Sequence, residues 1–511
     1  MSRTKYAFKN VAFAMFSKIF TLLINFVSRT VFIYYLGNTC LGINSLFTEM
    51  LQVLSFAELG FGTAMNFALY KPVAENDDAT TLKLLDYYKK VYRIIALVIV
   101  VFGLALLPFL SYVVKDADVL TINELRIYYI FFLINTVTGY FVSYKYSLVN
   151  AQQKNYITTN FEFVSGLVIA VFQIVVICCL KNYFAYLVTH TVLLIVSRFV
   201  LSTYLNKRFP LLKKHPDTLL SAEEKKPIHH EVKGLVFHQF SSVAIHQTDN
   251  ILIASFIEKG IQTVGFISNY NMIIHAVNGM LTLVFNSVVS GYGNLIATSK
   301  SKDLKRVFEE ANFINFWLYG FSSIAFYILI PPFITLWLGK DFLIERYSFL
   351  LIVVNCYLLG QSIVYSNIRT AYGKFTSDGW ISLIQALLNL VVSVICASMW
   401  GLLGVYVGTI VSRIFFVLVR PAKTYKMMFD EGVGNYYKTL FGYGAIVLIA
   451  GILTQVVVRF LHFDNAVISF VVSCIVVLVL PNAVFGIIFA RTRIFKSVMG
   501  RLQQITIKKG E

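Results

Sequence analysis

Residues 11–36 read VAFAMFSKIFTLLINFVSRTVFIYYL, and this stretch decides what kind of molecule the chain is. As a helix the run measures roughly 39 Å, enough to cross about 30 Å of hydrocarbon. Helix is the element such a run must adopt, because a bilayer offers backbone groups no outside partner. The run is too long for a signal-peptide core and has no small-residue cleavage site, so it is expected to be the first span of a multi-pass membrane protein.

Working outward, similar apolar runs recur to the end of the chain. The spans are expected near 11–36, 42–70, 92–112, 125–149, 158–180, 183–205, 234–257, 262–289, 311–338, 347–373, 378–400, 402–424, 438–460 and 466–490. Composition agrees: 57% of the 511 residues are hydrophobic and 14% charged, about half the usual charged share. The expected fold is an all-α polytopic membrane protein of about 14 transmembrane helices. The net charge of +18 is a topology signal rather than a nucleic-acid footprint. With the N-terminus inside, about 33 of the 44 Lys and Arg fall on cytoplasmic segments and about seven outside. Both termini are therefore expected in the cytoplasm.

An internal repeat organises these spans. Leu107-Pro108-Phe109-Leu110 followed by Lys115-Asp116 recurs as Ile330-Pro331-Pro332-Phe333-Ile334 followed by Lys340-Asp341. Asn135, Ala151 and Lys154 recur as Asn355, Ala371 and Lys374, and Ile195-Val196-Ser197-Arg198 as Ile410-Val411-Ser412-Arg413. The collinear series relates spans 1–6 to spans 7–12 as parallel repeats, because an even number of spans returns the chain to the same side. The expected layout is an N-lobe (1–206), a cytoplasmic linker (207–233), a C-lobe (234–428), spans 13 and 14 (429–490), and a basic amphipathic tail on the inner membrane surface (491–511).

Ionisable groups inside spans cost roughly 2.5–3.5 kcal/mol each on insertion scales, so each needs a cavity or a partner. Lys18 and Arg29 lie eleven residues apart and share one helical face. The repeat offset of 220 carries them onto His238 and Asp249, with His246 one turn before the aspartate. Each half thus places a polar pair at equivalent depth, facing a cavity, with snorkelling to the membrane surfaces as the alternative. Span 8 carries Asn271, His275, Asn278, Thr282 and Asn286 on one face. These amides suit either a sugar-bearing ligand or hydrogen bonds between helices. Glu49 and Glu58, nine residues apart, are expected on opposite faces of span 2.

Other signals lead nowhere. Gly291-Tyr292-Gly293 and Gly442-Tyr443-Gly444 lack the Thr-Val of a potassium filter. Asp116-Ala117-Asp118 sits in a short outward loop with no domain to hold an acceptor sugar. No phosphate-binding GxxxxGK[ST] loop occurs, so the chain is not expected to hydrolyse ATP. His229-His230 is expected to be solvated in the linker. The six cysteines show neither CxxC nor Cys/His spacing and imply neither a metal nor a disulfide framework.

Three stretches carry a family resemblance: Ser28-Arg29-Thr30-Val31-Phe32-Ile33-Tyr34-Tyr35-Leu36-Gly37, Leu41-Gly42-Ile43-Asn44-Ser45-Leu46-Phe47 and Ala57-Glu58-Leu59-Gly60-Phe61-Gly62-Thr63-Ala64. With Asn66-Phe67-Ala68-Leu69-Tyr70-Lys71-Pro72 they resemble the opening of bacterial polysaccharide repeat-unit flippases. That family belongs to the multidrug/oligosaccharidyl-lipid/polysaccharide exporter superfamily. The match is densest over 10–100 and nearer to capsule and exopolysaccharide flippases than to the lipid II branch. The resemblance implies a carrier, not an enzyme, moving undecaprenyl-diphosphate-linked oligosaccharide across the bacterial cytoplasmic membrane by ion-driven alternating access. A proton or sodium ion would be the coupling species, and no other cofactor is implied. Lys18 and Arg29 would engage the diphosphate; His238, Asn271, His275, Asn278 and Asn286 are the further substrate-binding candidates. Asp249, His246, Glu58 and Glu49 would carry the ion. Implied partners are the lipid-linked substrate, membrane lipid, a polysaccharide polymerase and a chain-length regulator. The lipid II branch carries a denser set of cavity arginines than this chain does. The rival readings are a multidrug or cation antiporter of the same superfamily and, behind it, a membrane glycosyltransferase or polymerase.

Overall fold

A computed structural model of the chain describes residues 3–58, 60–114, 120–230, 232, 247–298, 301–372, 379–461 and 463–507. Side chains are described between Phe20 and Arg501, apart from 57, 290, 297, 298, 301, 302 and 427. The described residues form helices and no strand. In order these are α1 (Arg3–Leu54), α2 (Phe61–Ala74), α3 (Asp78–Leu106), α4 (Leu110–Val113), α5 (Ile122–Ala151), α6 (Tyr156–Leu180), α7 (Tyr183–Arg208) and α8 (222–230). There follow α9 (Asp249–Phe256), α10 (Gly260–Asn286), α11 (Val289–Thr298), α12 (Ser301–Trp337), α13 (Arg346–Tyr372) and α14 (Gly379–Trp400). The last four are α15 (Leu402–Phe429), α16 (Gly434–Phe460), α17 (Ala466–Phe489) and α18 (Arg493–Ile507).

Twelve helices among the described residues are long and apolar enough to cross a membrane. The expected second and seventh spans account for the difference from fourteen. The run 42–70 is not one helix: α1 ends at Leu54, a 3-10 turn occupies Ser55–Glu58, and Gly60 takes a left-handed conformation (φ 76°) before α2 begins. Within α1 two helical stretches meet at Gly37 (φ 80°, ψ 172°), where the helical path breaks, so the first span ends there and the start of the expected second span follows it. Glycine is the residue that tolerates that conformation. Most of the run 234–257 lies outside the described residues, which resume as α9.

The chain divides into two compact units, 1–268 and 269–511, with the division inside α10. In the first unit α3, α5, α6 and α7 pack pairwise, and α1 lies against α6 and α9. Edge-on aromatic pairs fill the seams, including Phe47 with Tyr129 (5.4 Å) and Tyr128 with Tyr183 (4.9 Å). α1 and the start of α10 approach closely, because a side chain at Gly42 would meet the Ile261 backbone. α8 is tied to the end of the bundle by Lys83–Glu224 (3.6 Å) and by a hydrogen bond between His229 Nε2 and Tyr87 Oη (2.9 Å). His229 is thus engaged rather than simply solvated.

The second unit is built around α12. Its Phe316 stacks on Tyr443 of α16 (4.2 Å) and meets Phe485 of α17 (5.1 Å), while Trp317 Nε1 donates to Asn482 Oδ1 (2.7 Å). The basic tail, α18, docks on the same helix: Arg501 pairs with Glu310 (2.9 Å), Phe495 stacks on Trp317 and Val498 is buried. Its apolar face is therefore shared with protein, not given wholly to the membrane surface. α14 and α15 meet through Gly404 and Gly408, where a side chain would collide with the backbone at Cys396 and Ser393. Small residues at this four-residue spacing let membrane helices approach to backbone contact.

Candidate functional site

Arg29 sits half-buried on α1, and its Nη1 donates to Ser268 Oγ (2.7 Å). Nine residues on, Asn38 Nδ2 donates to the Gln262 carbonyl (2.7 Å), so α1 and the first turns of α10 are joined at two levels. The cation is thus partnered by a hydroxyl within the first unit. Lys18 lies on α1, but its side chain is outside the described residues, as are His238 and His246 altogether.

The structure brings Glu49 and Asp249 together. Asn250, which follows Asp249 in the first turn of α9, donates from Nδ2 to Glu49 Oε1 (2.5 Å), and the Asp249 charge lies within electrostatic reach of Glu49. Two half-buried carboxylates held this way repel each other, and one small cation between them relieves that repulsion. Glu58 is separate from them. Its Oε1 accepts from Tyr92 Oη (2.9 Å) beside Gly62, where any side chain would strike both groups. The nine-residue face argument does not apply to Glu49 and Glu58, since the helix that would carry both ends between them.

Along the α10 stripe the surroundings of the side chains differ. Asn278 Oδ1 accepts from Cys356 Sγ of α13 (3.2 Å), which is a hydrogen bond between helices. His275 and Asn286 are exposed, and Asn271 is half-buried. Gly291-Tyr292-Gly293 and Gly442-Tyr443-Gly444 lie inside helices, with Tyr292 and Tyr443 buried, so neither forms a filter. Asp116 and Asp118 lie outside the described residues. Among the described residues no group of three or more His, Cys, Asp and Glu is placed to hold a metal ion.

Sequence reasoning missed a cavity in the first unit of about 420 Å³. Its polar lining comes from α1 and its following turn (Asn44, Thr48, Gln52, Ser55), α5 (Asn135, Thr136) and α7 (His190, Arg198), with Phe132 and Tyr186 beside them. Arg198 Nη1 donates to the Asn135 carbonyl (2.5 Å) and to Thr138 Oγ1. The signal was present in the sequence as the repeated Asn and Arg. Their meeting was not, because it needs two helices placed side by side. In the second unit the repeat makes the equivalent contact, Arg413 Nε to Asn355 Oδ1 (3.1 Å). A second cavity, of about 710 Å³, lies where α12, α13, α16 and α17 end, with Lys340, Arg346, Arg459 and Asp464 among apolar and aromatic residues.

Comparison with solved structures identifies the fold. The lipid II flippase MurJ in an inward closed conformation aligns with a TM-score of 0.69 at 14% identity, covering 93% of this chain and 98% of that one. An inward-facing multidrug resistance MATE family transporter of the MOP superfamily aligns with a TM-score of 0.59 at 15% identity, covering 78% and 92%. The Vibrio cholerae MATE transporter VcmN gives 0.56 at 14%, covering 83% and 98%. No curated protein matches the chain in sequence. The polysaccharide biosynthesis protein family does match, over residues 7–290, which is more than half of the chain and includes α1, Arg29, both candidate carboxylates and the polar cavity. By that match the chain belongs to the polysaccharide biosynthesis protein family.

Proposed function

We propose that the protein carries undecaprenyl-diphosphate-linked oligosaccharide repeat units from the inner to the outer leaflet of a bacterial cytoplasmic membrane, supplying capsule or exopolysaccharide assembly. The family match over residues 7–290 is the observation that carries this reading. A fold shared with a lipid II flippase supports it, since that relative's named cargo is also a lipid-linked sugar. The MATE likeness concerns the fold, whereas the family match favours polysaccharide over drugs.

Movement is by alternating access, driven by a proton or sodium gradient. Arg29 meets the diphosphate, with Lys18 and His238 assisting and with Asn271, His275, Asn278 and Asn286 addressing the sugars. A guanidinium suits this role because its planar fork matches two phosphate oxygens at once. The Glu49–Asp249 pair, with His246 nearby in sequence, carries the ion, and Glu58 serves as a second acid. Both termini face the cytoplasm, and the protein works beside a polymerase and a chain-length regulator.

Deleting the gene should abolish surface polysaccharide and trap lipid-linked repeat units where an external glycosidase cannot reach them. A deletion strain with normal polymer overturns the reading. If the same strain instead becomes hypersensitive to cationic drugs while keeping its polymer, the antiporter reading takes its place.

A further inference from the structure

The two halves of the repeat keep one contact and differ around it. In the second unit Asn355 gives its side-chain oxygen to Arg413, which is buried. In the first unit Asn135 gives Arg198 only its backbone carbonyl, and the side-chain oxygen is buried without a protein partner. About two turns earlier on α7, His190 Nδ1 is likewise buried and unpartnered. The 215-residue offset that relates Arg198 to Arg413 places Val405 where the first unit has His190, and Val405 is fully buried. The 220-residue offset places Cys356 where the first unit has Thr136, and Cys356 is spent on Asn278. The arginine contact is therefore common architecture, while the histidine and threonine that line the first unit's cavity are replaced in the second unit by Val405 and Cys356.

What the cavity would accept follows from its lining. Arg198 and His190 offer N–H donors for an anion, and Asn135 Oδ1 offers a buried acceptor that wants a hydroxyl. Asn44, Gln52, Thr48, Ser55 and Thr136 add amides and hydroxyls that both donate and accept. None of the lining residues is acidic; Glu162, which hydrogen-bonds Tyr146, lies outside the lining but within electrostatic reach of Arg198. A volume of about 420 Å³ falls within the roughly 300–1,000 Å³ usual for small-molecule pockets. An inorganic anion would leave Asn135 Oδ1 unsatisfied, and a neutral sugar would offer the N–H donors of Arg198 and His190 only uncharged acceptors, which bond them more weakly than a carboxylate. A ligand carrying a carboxylate and neighbouring hydroxyls satisfies both.

We infer that this cavity is a binding pocket for an acidic sugar residue, with its carboxylate on Arg198 and His190 and a ring hydroxyl on Asn135. The inference rests on the carrier reading and deepens it: the oligosaccharide carried contains a uronic acid or a sugar of similar charge.

The test is direct binding to the purified full-length protein in nanodiscs, by calorimetry, with sodium glucuronate, glucose and inorganic phosphate as probes. Glucuronate should bind about tenfold or more tighter than either of the others. His190→Val, which installs the residue found in the second unit, should weaken glucuronate by about tenfold while leaving the unfolding temperature within a few degrees. Arg198→Lys should keep part of the affinity, since the charge stays and the fork is lost. Equal binding of glucose, equal binding of phosphate, absence of binding, or a His190→Val protein with full affinity each overturns the inference. Because the measurement involves no transport, a failure here is distinct from failure of the carrier reading, which the deletion strain decides.

Discussion

Arg29 shows how far one residue can be read. The sequence marks it as a cation inside an apolar run, and the structure supplies its partner, Ser268. If this guanidinium meets the diphosphate, its planar fork matches two phosphate oxygens at once. Arg29→Ala should abolish surface polysaccharide at unchanged protein level. Arg29→Lys should restore it only partly, to about a tenth of normal if one phosphate hydrogen bond of roughly 1.4 kcal/mol is lost. Immunoblots of membranes alongside polymer assays check both. The carboxylates give a sharper case. Glu49 and Asp249 are two hundred residues apart in sequence, and only folding shows that they meet through Asn250. If they form one ion site, Glu49→Gln and Asp249→Asn should each remove the dependence of transport on the ion gradient. The double variant should then be no worse than the weaker single one, since groups acting as a unit are not additive. Transport assays in vesicles under imposed proton and sodium gradients measure this, and additive losses would separate the two residues. His190 escaped the sequence reading because neither its spacing nor its neighbours mark it. Its meaning comes from α1, α5 and α7 converging on one space.

At the scale of elements, apolar periodicity located the helices and said little about where they end. The run 42–70 is apolar enough to be one span, but the stop between α1 and α2 depends on Gly60 adopting a conformation that no hydropathy pattern registers. Small residues mark one helix contact, a signal that the sequence reading left unused. Gly404 and Gly408 face the α14 backbone, and Asn389 Nδ2 reaches Thr409 Oγ1 (3.2 Å) beside them. Gly408→Leu should separate α14 from α15 and lower the unfolding temperature in detergent sharply. Gly486→Leu, at a glycine with open space around it, should have little effect. Differential scanning fluorimetry of the two variants makes the comparison. The repeated Asn and Arg belong here as well. The sequence showed that they recur, and the structure shows what recurs: the contact between α5 and α7, made again between α13 and α15.

For the whole molecule, composition alone gave the class, and the collinear repeat suggested how the helices group into two halves. Hydropathy is nearly blind to the sidedness of the chain, which rests on its basic residues. Those charges predict that a fluorescent protein fused after Glu511 will fold and glow, while alkaline phosphatase there stays inactive. Phosphatase fused after Val114 or Leu343 should be active, because the charge distribution assigns both positions to outward connections. The opposite pattern would invert the assignment of every loop. The break at Gly37 bears on how this order is laid down during synthesis. A straight helix of 52 residues would extend roughly 78 Å at about 1.5 Å per residue, more than twice the hydrocarbon thickness. One residue without a side chain therefore sets where the insertion machinery finishes one segment and starts the next. Gly37→Leu places a bulky residue in backbone geometry that disfavours it by about 1–3 kcal/mol, so the emerging chain should favour continuing the helix. The error would not stay local: with one membrane crossing lost near the start, each later segment would enter facing the wrong way. Loss of phosphatase activity from the Val114 fusion in a Gly37→Leu background would record that inversion.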